Sequence, residues 1–319
     1  MKAVRLWGTR GSLPVALTAA QVRAKLEVVL RAARGLDLQS DAALAAYLDG
    51  LPFHQRGTFG GHSSCVEIEP GGAEYVLCDL GSGARAFAQS MMSRHGPGKP
   101  QTYHIFMSHL HWDHIMGLPF FLPAYIPGNR LVIHGCHERL QEAFVRQQGE
   151  LSFPVDFSVL QQQVQFVTLE PGRCYQIGEL AVTAKKQRHS GDSYGYRFEA
   201  GGRTIVYSTD SEHELDNAAE TSGFVEFFRA ADVVIFDAMY SLAEAISVKA
   251  DWGHSSNVVG VELCQMAGVK HLVMYHHEPA FDDLAIARVL AETQRFEEIT
   301  RTGEPLRVSA AYDGMEIRL

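Results

Sequence analysis

Four potential metal ligands fall within one stretch of six residues, His-Leu-His-Trp-Asp-His at positions 109–114. An apolar segment at 103–107 precedes it and has the composition of a buried strand. A second short apolar segment, 115–120, follows it and is typical of a helical turn. The pattern predicts that the end of a strand delivers imidazoles and a carboxylate into one loop.

Imidazole and carboxylate groups are standard ligands of zinc and similar divalent ions. In an extended backbone His109 and His111 project to the same side and can bind one ion. Asp113 and His114 lie where the chain turns into the helical segment and can face a neighbouring ion. Histidines also cluster by chance, but three of them with an aspartate in six residues favour a metal site.

Further potential ligands recur later in the chain, at the ends of apolar segments or just before a helix. Each of them alone would more often be a structural residue, whereas rigid scaffolds place functional groups at such strand ends. Together with the stretch at 109–114 they form a pattern. They are His189, Asp210, His254 and the pair His276 and His277.

The chain has 319 residues and a formal net charge of -9. A negative charge without a visible cluster of basic residues disfavours a partner with a long phosphate backbone. We therefore expect no long nucleic acid as a partner. A small anionic substrate stays open, because metal ions supply local positive charge that the net charge does not include.

Five cysteines occur at irregular spacing and without a Cys-x-x-Cys motif. An odd number of unpatterned cysteines favours free thiols in a reducing compartment. The N-terminus lacks the apolar core of a signal peptide, and no window approaches the length of a membrane span. The expected location is cytoplasmic, without membrane association.

Residues 18–49 differ in character from the strand-rich segments on either side. Thr18 is a good helix N-cap, and Val22, Leu26 and Leu30 follow at helical spacing. A second helical pattern covers 41–48. The sequence predicts a helical insertion between two strands.

Short motifs accompany the potential ligands through most of the chain, at residues 8–12, 60–65, 79–83, 109–114, 189–197, Asp210, 237–240, 253–256 and 276–279. On these residues the chain resembles the metallo-β-lactamase-fold hydrolases. It is most similar to the branch that contains the ribonuclease Z enzymes that process tRNA 3′ ends, the class II cyclic-nucleotide phosphodiesterases and the cyclic phosphodiesterase of phosphonate metabolism.

The resemblance implies an α/β fold, a four-layer αββα sandwich. We expect one domain over residues 1–319, with the helical insertion at 18–49 inside it. The resemblance also implies two divalent ions, with Zn²⁺ preferred and Mn²⁺ or Fe²⁺ as alternatives. The implied ligands are His109, His111 and His189 for the first ion, Asp113, His114 and His276 for the second, and Asp210 as the bridge between them.

The resemblance also implies catalytic roles. His276 is preferred as a ligand because it directly follows its strand, and His277 is the alternative. His254 resembles a histidine that lies near the ions, and Asp237 the acidic residue that buttresses it. A hydroxide held between the ions would be the nucleophile, Asp113 a candidate to hold it, and His254 the candidate general acid. A helix-capping role for Asp237 and a purely structural role for His254 stay open.

Three features depart from the family pattern. The insertion at 18–49 stands where many relatives have a short loop, and His62 stands where an Asn is common. The extended arm with which ribonuclease Z holds tRNA is missing, which together with the negative charge led us to expect no tRNA. The insertion has three open interpretations: a lid over the site, the interface of a homodimer, or an extra structural layer.

The sequence thus predicts a two-metal phosphodiesterase acting on a small, cyclic-nucleotide-like phosphodiester. The first alternative is a different ester hydrolase with the same ions, such as a lactonase, a phosphotriesterase or a thioesterase. The second is a metal-binding regulatory protein with weak activity. A small phosphodiester or ester is the expected partner.

Overall fold

A computed structural model describes residues 1–240 and 254–319; Gly253, part of one of the motifs above, lies outside this range. The strands are β1 (Ala3–Gly8), β2 (Cys65–Glu69), β3 (Tyr75–Cys78), β4 (Thr102–Phe106), β5 (Arg130–Gly135), β6 (Val164–Thr168), β7 (Cys174–Ile177), β8 (Leu180–Gln187), β9 (Ser193–Ala200), β10 (Arg203–Ser208), β11 (Val233–Asp237), β12 (His271–Tyr275), β13 (Arg307–Ala310) and β14 (Met315–Arg318). The α-helices of the described residues are α1 (Ala19–Ala32), α2 (Asp41–Gly50), α3 (Phe53–Arg56), α4 (Gly83–His95), α5 (Trp112–Ile115), α6 (Leu140–Gln147), α7 (Ala218–Phe228), α8 (Asn257–Ala267) and α9 (Asp283–Thr300).

The strands form two sheets of seven. The first has the order β14-β1-β2-β3-β4-β5-β6, and the second has the order β13-β12-β11-β10-β9-β8-β7. In the first sheet β3 to β6 run parallel, and in the second β10 to β13 do so. The remaining neighbours are antiparallel: β2–β3, β7–β8, β8–β9 and β9–β10 follow each other directly in sequence, β1–β2 pair across the helical segment, and β14–β1 join the two ends of the chain. Each half of the chain therefore builds antiparallel strands first and parallel strands second.

Three apolar clusters hold the layers together. Residues of both sheets, among them Val4, Phe106 and Tyr196, form the core between the sheets. Helix α4 packs on the outer face of the first sheet, and α7 and α8 pack on the outer face of the second. Alternating strand residues thus face either the other sheet or a helix layer. The predicted α/β fold with four layers, αββα, is confirmed.

The predicted helical segment at 18–49 contains α1 and α2 and lies between β1 and β2. Thr18 caps α1: its side chain accepts a hydrogen bond from the backbone amide of Gln21, and the Gln21 side chain reciprocates. Ser40 caps α2 in the same way through the amide of Ala43. Both helices therefore begin where the sequence predicts.

Among the described residues, no helix is long and apolar enough to cross a membrane.

Candidate metal centre

The parallel strands of both sheets end at one common edge, and the predicted site residues follow those ends. Asp79 comes directly after β3, Asp210 two residues after β10, and His276 directly after β12. The histidine loop begins after β4, and Asp237 is the last residue of β11. Carboxyl ends of parallel strands are where open α/β sheets place their sites. The topology therefore gathers side chains that are up to 197 positions apart, from Asp79 to His276.

Within the histidine loop, α5 begins immediately after His111 and turns the chain inward. This turn buries Asp113 and His114, while His109 is buried at the end of the preceding extended segment. The Nε2 atom of His114 lies 3.0 Å from Oδ2 of Asp113. Because of this short helix, potential ligands that are close in sequence can face two different predicted ion positions.

The carboxylate of Asp210 lies at the centre of the cluster. Its Oδ2 atom is 3.6 Å from Nε2 of His109 and 3.3 Å from Nε2 of His276, and its Oδ1 atom is 3.3 Å from Nε2 of His114. Asp210 is almost fully buried. One carboxylate therefore contacts histidines of both predicted ligand sets, as a bridging ligand must.

The seven predicted ligands fall into overlapping groups whose donor atoms lie within 4.8 Å of one another. His111 completes the outer part of the cluster, with its Nδ1 atom 3.3 Å from Nε2 of His189. The groups are His109 with His111 and His189, His109 with His114 and Asp210, and Asp113 with His114 and His276. The assignment of each residue to an ion stays a prediction.

Two buried ring nitrogens in this cluster test whether divalent ions fit. Nε2 of His109 and Nε2 of His114 have no hydrogen-bond partner among the described residues. A buried polar atom without a partner is costly, and both nitrogens point toward carboxylate oxygens. Imidazole nitrogens together with carboxylate oxygens are the donor set of Zn²⁺ and similar ions. The residues present therefore fit a divalent-metal centre.

The electrostatics of the cluster keep its carboxylates charged. Burial alone would raise the pKa of Asp113, but His114 and His276 lower it well below its usual range. Burial would likewise raise the pKa of Asp210, and His276, His114 and His109 together lower it. Burial and the neighbouring His114 hold the pKa of His109 well below its ordinary value, so this ring is neutral and can donate a lone pair.

Asp79 has a role that the sequence left unassigned beyond bracing a loop. Its Oδ2 atom accepts hydrogen bonds from Nδ1 of His114, the hydroxyl of Tyr207 and the hydroxyl of Ser108, each at 2.7 Å. Its Oδ1 atom accepts from the Ser108 amide at 2.7 Å. The carboxylate thus fixes the His114 ring with Nε2 turned toward the cluster. The signal for this role was its place directly after β3.

We expect Asp79→Asn to weaken metal binding roughly 10- to 100-fold, the usual effect of removing a carboxylate that orients a histidine ligand. An amide cannot accept all of these hydrogen bonds, so the His114 ring loses its fixed orientation. Metal titration followed by calorimetry measures the change. Tyr207→Phe, which removes one donor and leaves the carboxylate, is the matched control; equal affinities for Asp79→Asn and the wild type would contradict the role.

His254 and Asp237 form a pair at the border of the cluster. Nδ1 of His254 lies 2.7 Å from Oδ2 of Asp237. The His254 ring lies between the ligand rings, with centroids 5.1 Å from His189 and 5.2 Å from His276. Burial alone would lower the pKa of His254, but the Asp237 carboxylate outweighs it and raises the pKa to about 9. Besides this pair, Asp237 accepts hydrogen bonds from the backbone amides of Ser211 and Met239.

The structure places the two adjacent histidines after β12 differently. His276 turns into the cluster, with Nε2 3.3 Å from Oδ2 of Asp113. His277 directs its Nε2 atom to the carbonyl of Ala311 at 2.9 Å, and burial lowers its pKa to about 3. The geometry therefore favours His276 as the ligand.

Several residues around the cluster have a left-handed backbone. Four of the described non-glycine residues with a positive φ lie at the cluster: Ser12 (55°), Asp79 (60°), Asp210 (48°) and His276 (59°). The amide of Ser12 donates to Oδ2 of Asp113 at 2.9 Å. A Cβ atom on neighbouring Gly11 would lie 2.7 Å from the His276 ring, so the loop after β1 can approach only as glycine. Such strained residues concentrate at functional sites.

Residues 74–277 match the family model described as a beta-lactamase superfamily domain. This match covers more than half of the chain. The chain belongs to the beta-lactamase superfamily. The predicted membership in the metallo-β-lactamase-fold hydrolases is confirmed.

Two relatives and one solved structure illustrate the similarity. Ribonuclease Z of Staphylococcus epidermidis is 28% identical over 162 residues, which cover 47% of this chain and 46% of the relative. This chain therefore matches only about half the length of that relative. Ribonuclease Z of Acaryochloris marina is 25% identical over 288 residues, which cover 73% of this chain and 84% of the relative. The metallo-beta-lactamase fold protein YhfI from Bacillus subtilis superimposes with a TM-score of 0.66 at 17% identity, covering 100% and 99% of the two chains.

The exclusion of a long nucleic acid as a partner is wrong, because the matched relatives are named ribonucleases. The physical reason is that the net charge of the whole chain does not describe the charge at one edge of the fold. Lys185, Lys186 and Arg188 precede the predicted ligand His189 along and just after β8. A run of basic residues beside the predicted ligands therefore coexists with a negative net charge of the whole chain.

Proposed function

We propose that the protein is a divalent-metal-dependent phosphodiesterase. The observation that carries the proposal is the central position of Asp210, whose carboxylate contacts histidines of both predicted ligand sets. A second observation is the His254–Asp237 pair beside the cluster. A binding protein needs a metal ligand set, but it has no need of an adjacent, protonated imidazole.

In the proposed mechanism, His109, His111 and His189 would hold one ion, Asp113, His114 and His276 would hold a second, and Asp210 would contribute its carboxylate to both. Bound divalent ions would lower the pKa of a coordinated water and stabilise negative charge on the phosphoryl oxygens. Zn²⁺ is the preferred ion and Mn²⁺ or Fe²⁺ the alternatives, because His and Asp ligands suit all three.

His254 acts as the general acid in this proposal. Its Nδ1 atom is engaged by Asp237, which fixes the ring. His254 also forms a group with His189 and Asp210 whose donor atoms lie within 4.8 Å of one another, so the ring borders the predicted ligands. With a pKa raised to about 9, the ring is protonated near neutral pH and can donate a proton to a departing alkoxide. Asp113, held by the Ser12 amide, stays ionised and is the candidate to accept a hydrogen bond from the attacking nucleophile.

Two substrate classes follow from the proposal. The first is a small, cyclic-nucleotide-like phosphodiester, the class that the sequence predicts. The second is an RNA phosphodiester, and the names of the relatives favour it. Both present the same phosphodiester to the ions and the same alkoxide leaving group to His254.

A panel of substrates tests the proposal. Bis-p-nitrophenyl phosphate, cyclic AMP, a precursor tRNA with a 3′ trailer and an acyl-homoserine lactone are assayed side by side with Zn²⁺, Mn²⁺ and Co²⁺. We expect turnover of at least one phosphodiester. The turnover of cyclic AMP compared with that of the precursor tRNA then decides between the two substrate classes. Lactone turnover without any phosphodiester turnover would replace the proposal by an ester hydrolase. Metal-loaded protein without any turnover would favour a regulatory protein.

Metal removal should lower stability. A ligand present at 100 times its dissociation constant stabilises the folded state by about 2.7 kcal/mol, and the buried cluster exists only in the folded chain. We expect chelator treatment to lower the melting temperature by several degrees and Zn²⁺ to restore it, as followed by differential scanning fluorimetry. Asp210→Ala should abolish the Zn²⁺-dependent shift; a shift of full size in that variant would place the stabilising ion elsewhere.

A further inference from the structure

Trp112 is exposed to solvent in the middle of the histidine loop. Its exposed fraction is 80%, although it lies between His111 and Asp113, two of the predicted metal ligands. A tryptophan carries a large apolar surface and is usually buried to a great extent in a folded chain. Because most of the Trp112 side chain is in solvent, the packing of the fold does not explain why the loop holds a tryptophan here.

The cluster is open to solvent on the side of this residue. Within the histidine loop, His109, Asp113 and His114 are buried, whereas His111 is not. A substrate from solution would therefore reach the predicted ion positions past His111. Trp112 follows His111 directly in the chain, so it lies at the entrance to the candidate metal centre.

A second exposed apolar residue lies at the same entrance, on a different segment. The amide of Ser12 donates to Oδ2 of Asp113 at 2.9 Å, which holds the loop after β1 against the histidine loop. Leu13 follows Ser12 and has an exposed fraction of 61%. Single exposed apolar residues are common, but Leu13 and Trp112 adjoin the two residues whose groups meet at one predicted metal ligand. The border of the centre is thus apolar where its interior is charged, as in many small-molecule sites.

This arrangement matches the two parts of a nucleotide. The phosphodiester is anionic and suits a pair of divalent ions, whereas the base is flat and is joined to the phosphate through one sugar. An indole ring can stack on any base, because every base has a π-face, and its rigidity keeps the entropic cost of binding low. A flexible acyl chain gains as much from an aliphatic side chain, since hydrophobic contact is non-directional.

We propose that a nucleobase of the substrate stacks on Trp112 while the adjacent phosphodiester faces the metal centre. This inference rests on the proposed function for the reacting group, and it narrows the substrates to nucleotides with a base beside the bond that is cut. It holds for both substrate classes named above, since a cyclic nucleotide and an RNA each carry such a base. Purines should bind more tightly than pyrimidines, because their larger rings stack more strongly.

Paired substitutions separate stacking from apolar contact. Trp112→Phe keeps an aromatic ring, and Trp112→Leu keeps an apolar side chain without one. With cyclic AMP or an RNA as substrate, Trp112→Leu should raise KM about 5- to 100-fold, and Trp112→Phe should restore most of the affinity. With the matching abasic substrate, which lacks the base beside the bond that is cut, both variants should have nearly the KM of the wild type. An equal rise in KM for the intact and the abasic substrate would overturn the proposal.

Phe120→Ala is the control for exposed aromatic surface away from the cluster. Phe120 is 59% exposed and packs edge-on against Phe153. This variant should keep KM within about twofold of the wild type for every substrate, the scale of surface substitutions. Metal content by mass spectrometry checks that both Trp112 variants retain their ions.

Fluorescence quenching of the metal-loaded protein tests the stacking without turnover. Adenosine monophosphate should quench part of the tryptophan emission, and ribose 5-phosphate, which has no base, should not. Trp112→Phe should lose this quenching, although the other two tryptophans of the chain are unchanged. Quenching without turnover of any phosphodiester would support the stacking and refute the proposed function. Turnover without quenching that depends on Trp112 would refute the stacking alone, and absence of both would refute both.

Discussion

Asp210→Ala should remove the bound metal and the hydrolytic activity together. Its carboxylate contacts histidines of both predicted ligand sets, so its removal affects both predicted ion positions at once. Stabilisation of a phosphoryl transition state by metal ions is worth several kcal/mol, and its loss corresponds to a decrease in kcat of roughly a thousandfold or more. Metal content by mass spectrometry and turnover of bis-p-nitrophenyl phosphate measure the two effects.

The control for this variant must carry the same backbone change. Asp192 also has a left-handed backbone, with φ of 58°, but its side chain is exposed and pairs with Lys186. Asp192→Ala should therefore retain metal and turnover within about twofold, the scale of surface substitutions. An Asp210→Ala variant that keeps its full metal content would show that the bridging assignment is wrong.

His254→Ala should keep the metal and lose turnover in a manner that depends on the leaving group. General acid catalysis contributes about 10²- to 10⁴-fold when the leaving group needs a proton. We expect a loss of this size with cyclic AMP or RNA, whose leaving group is an alkoxide. With bis-p-nitrophenyl phosphate, whose leaving group is already stable as an anion, the loss should stay within about tenfold.

His104→Ala is the matched control, because His104 is also half-buried and also pairs with a carboxylate, that of Glu74. It should leave both activities unchanged. Equal losses for the two substrates in His254→Ala would remove the acid role and leave His254 with a positioning one.

The pH profile of the wild type follows from the same pair. The pKa of His254 is raised to about 9, so its protonated form is present below that pH and is lost as the pH rises through it. Turnover of a substrate with an alkoxide leaving group should therefore decline above about pH 9. Asp237→Asn removes the carboxylate that raises the pKa, and the decline should then begin at lower pH.

Much of the cluster could be predicted from residue types, because metal ligands are few and chemically distinctive. The loop at 109–114 concentrates them, and Asp210 and His276 each follow an apolar strand. The choice between His276 and His277 could not be derived from spacing, since both follow β12. It depends on the left-handed backbone at His276, which turns one ring into the cluster and the next toward Ala311.

Roles that depend on three-dimensional contacts were beyond the sequence. Asp79 orients His114 through a hydrogen bond between residues 35 positions apart. The pairing of His254 with Asp237 was expected only from the resemblance, and it depends on the bridge between Tyr240 and Ser256, which brings the segment before α8 beside the end of β11. The net charge of the whole chain was a poor guide to nucleic-acid binding. The arrangement of charges around one edge of the fold decides which polyanion can approach it.

The fold was predictable where apolar periodicity is strong, as in β4, β11 and β12. The strands β7, β13 and β14 were not anticipated. Cys174–Ile177 and Arg307–Ala310 are edge strands of only four residues, so their alternation is too short to stand out in the sequence. Met315–Arg318 alternates clearly, but its partner β1 lies at the other end of the chain.

The left-handed backbone at Asp210 and His276 implies a conflict between two demands on the same residues. Glycine would relax the backbone at these positions, and asparagine would tolerate it better than histidine does, so the native side chains make the metal-free fold less stable than it could be. His276→Gly should therefore melt at a higher temperature than the native chain in the presence of chelator and at a lower temperature in the presence of Zn²⁺. In the metal-free chain, the strained backbone at these two residues therefore costs stability that bound ions would offset.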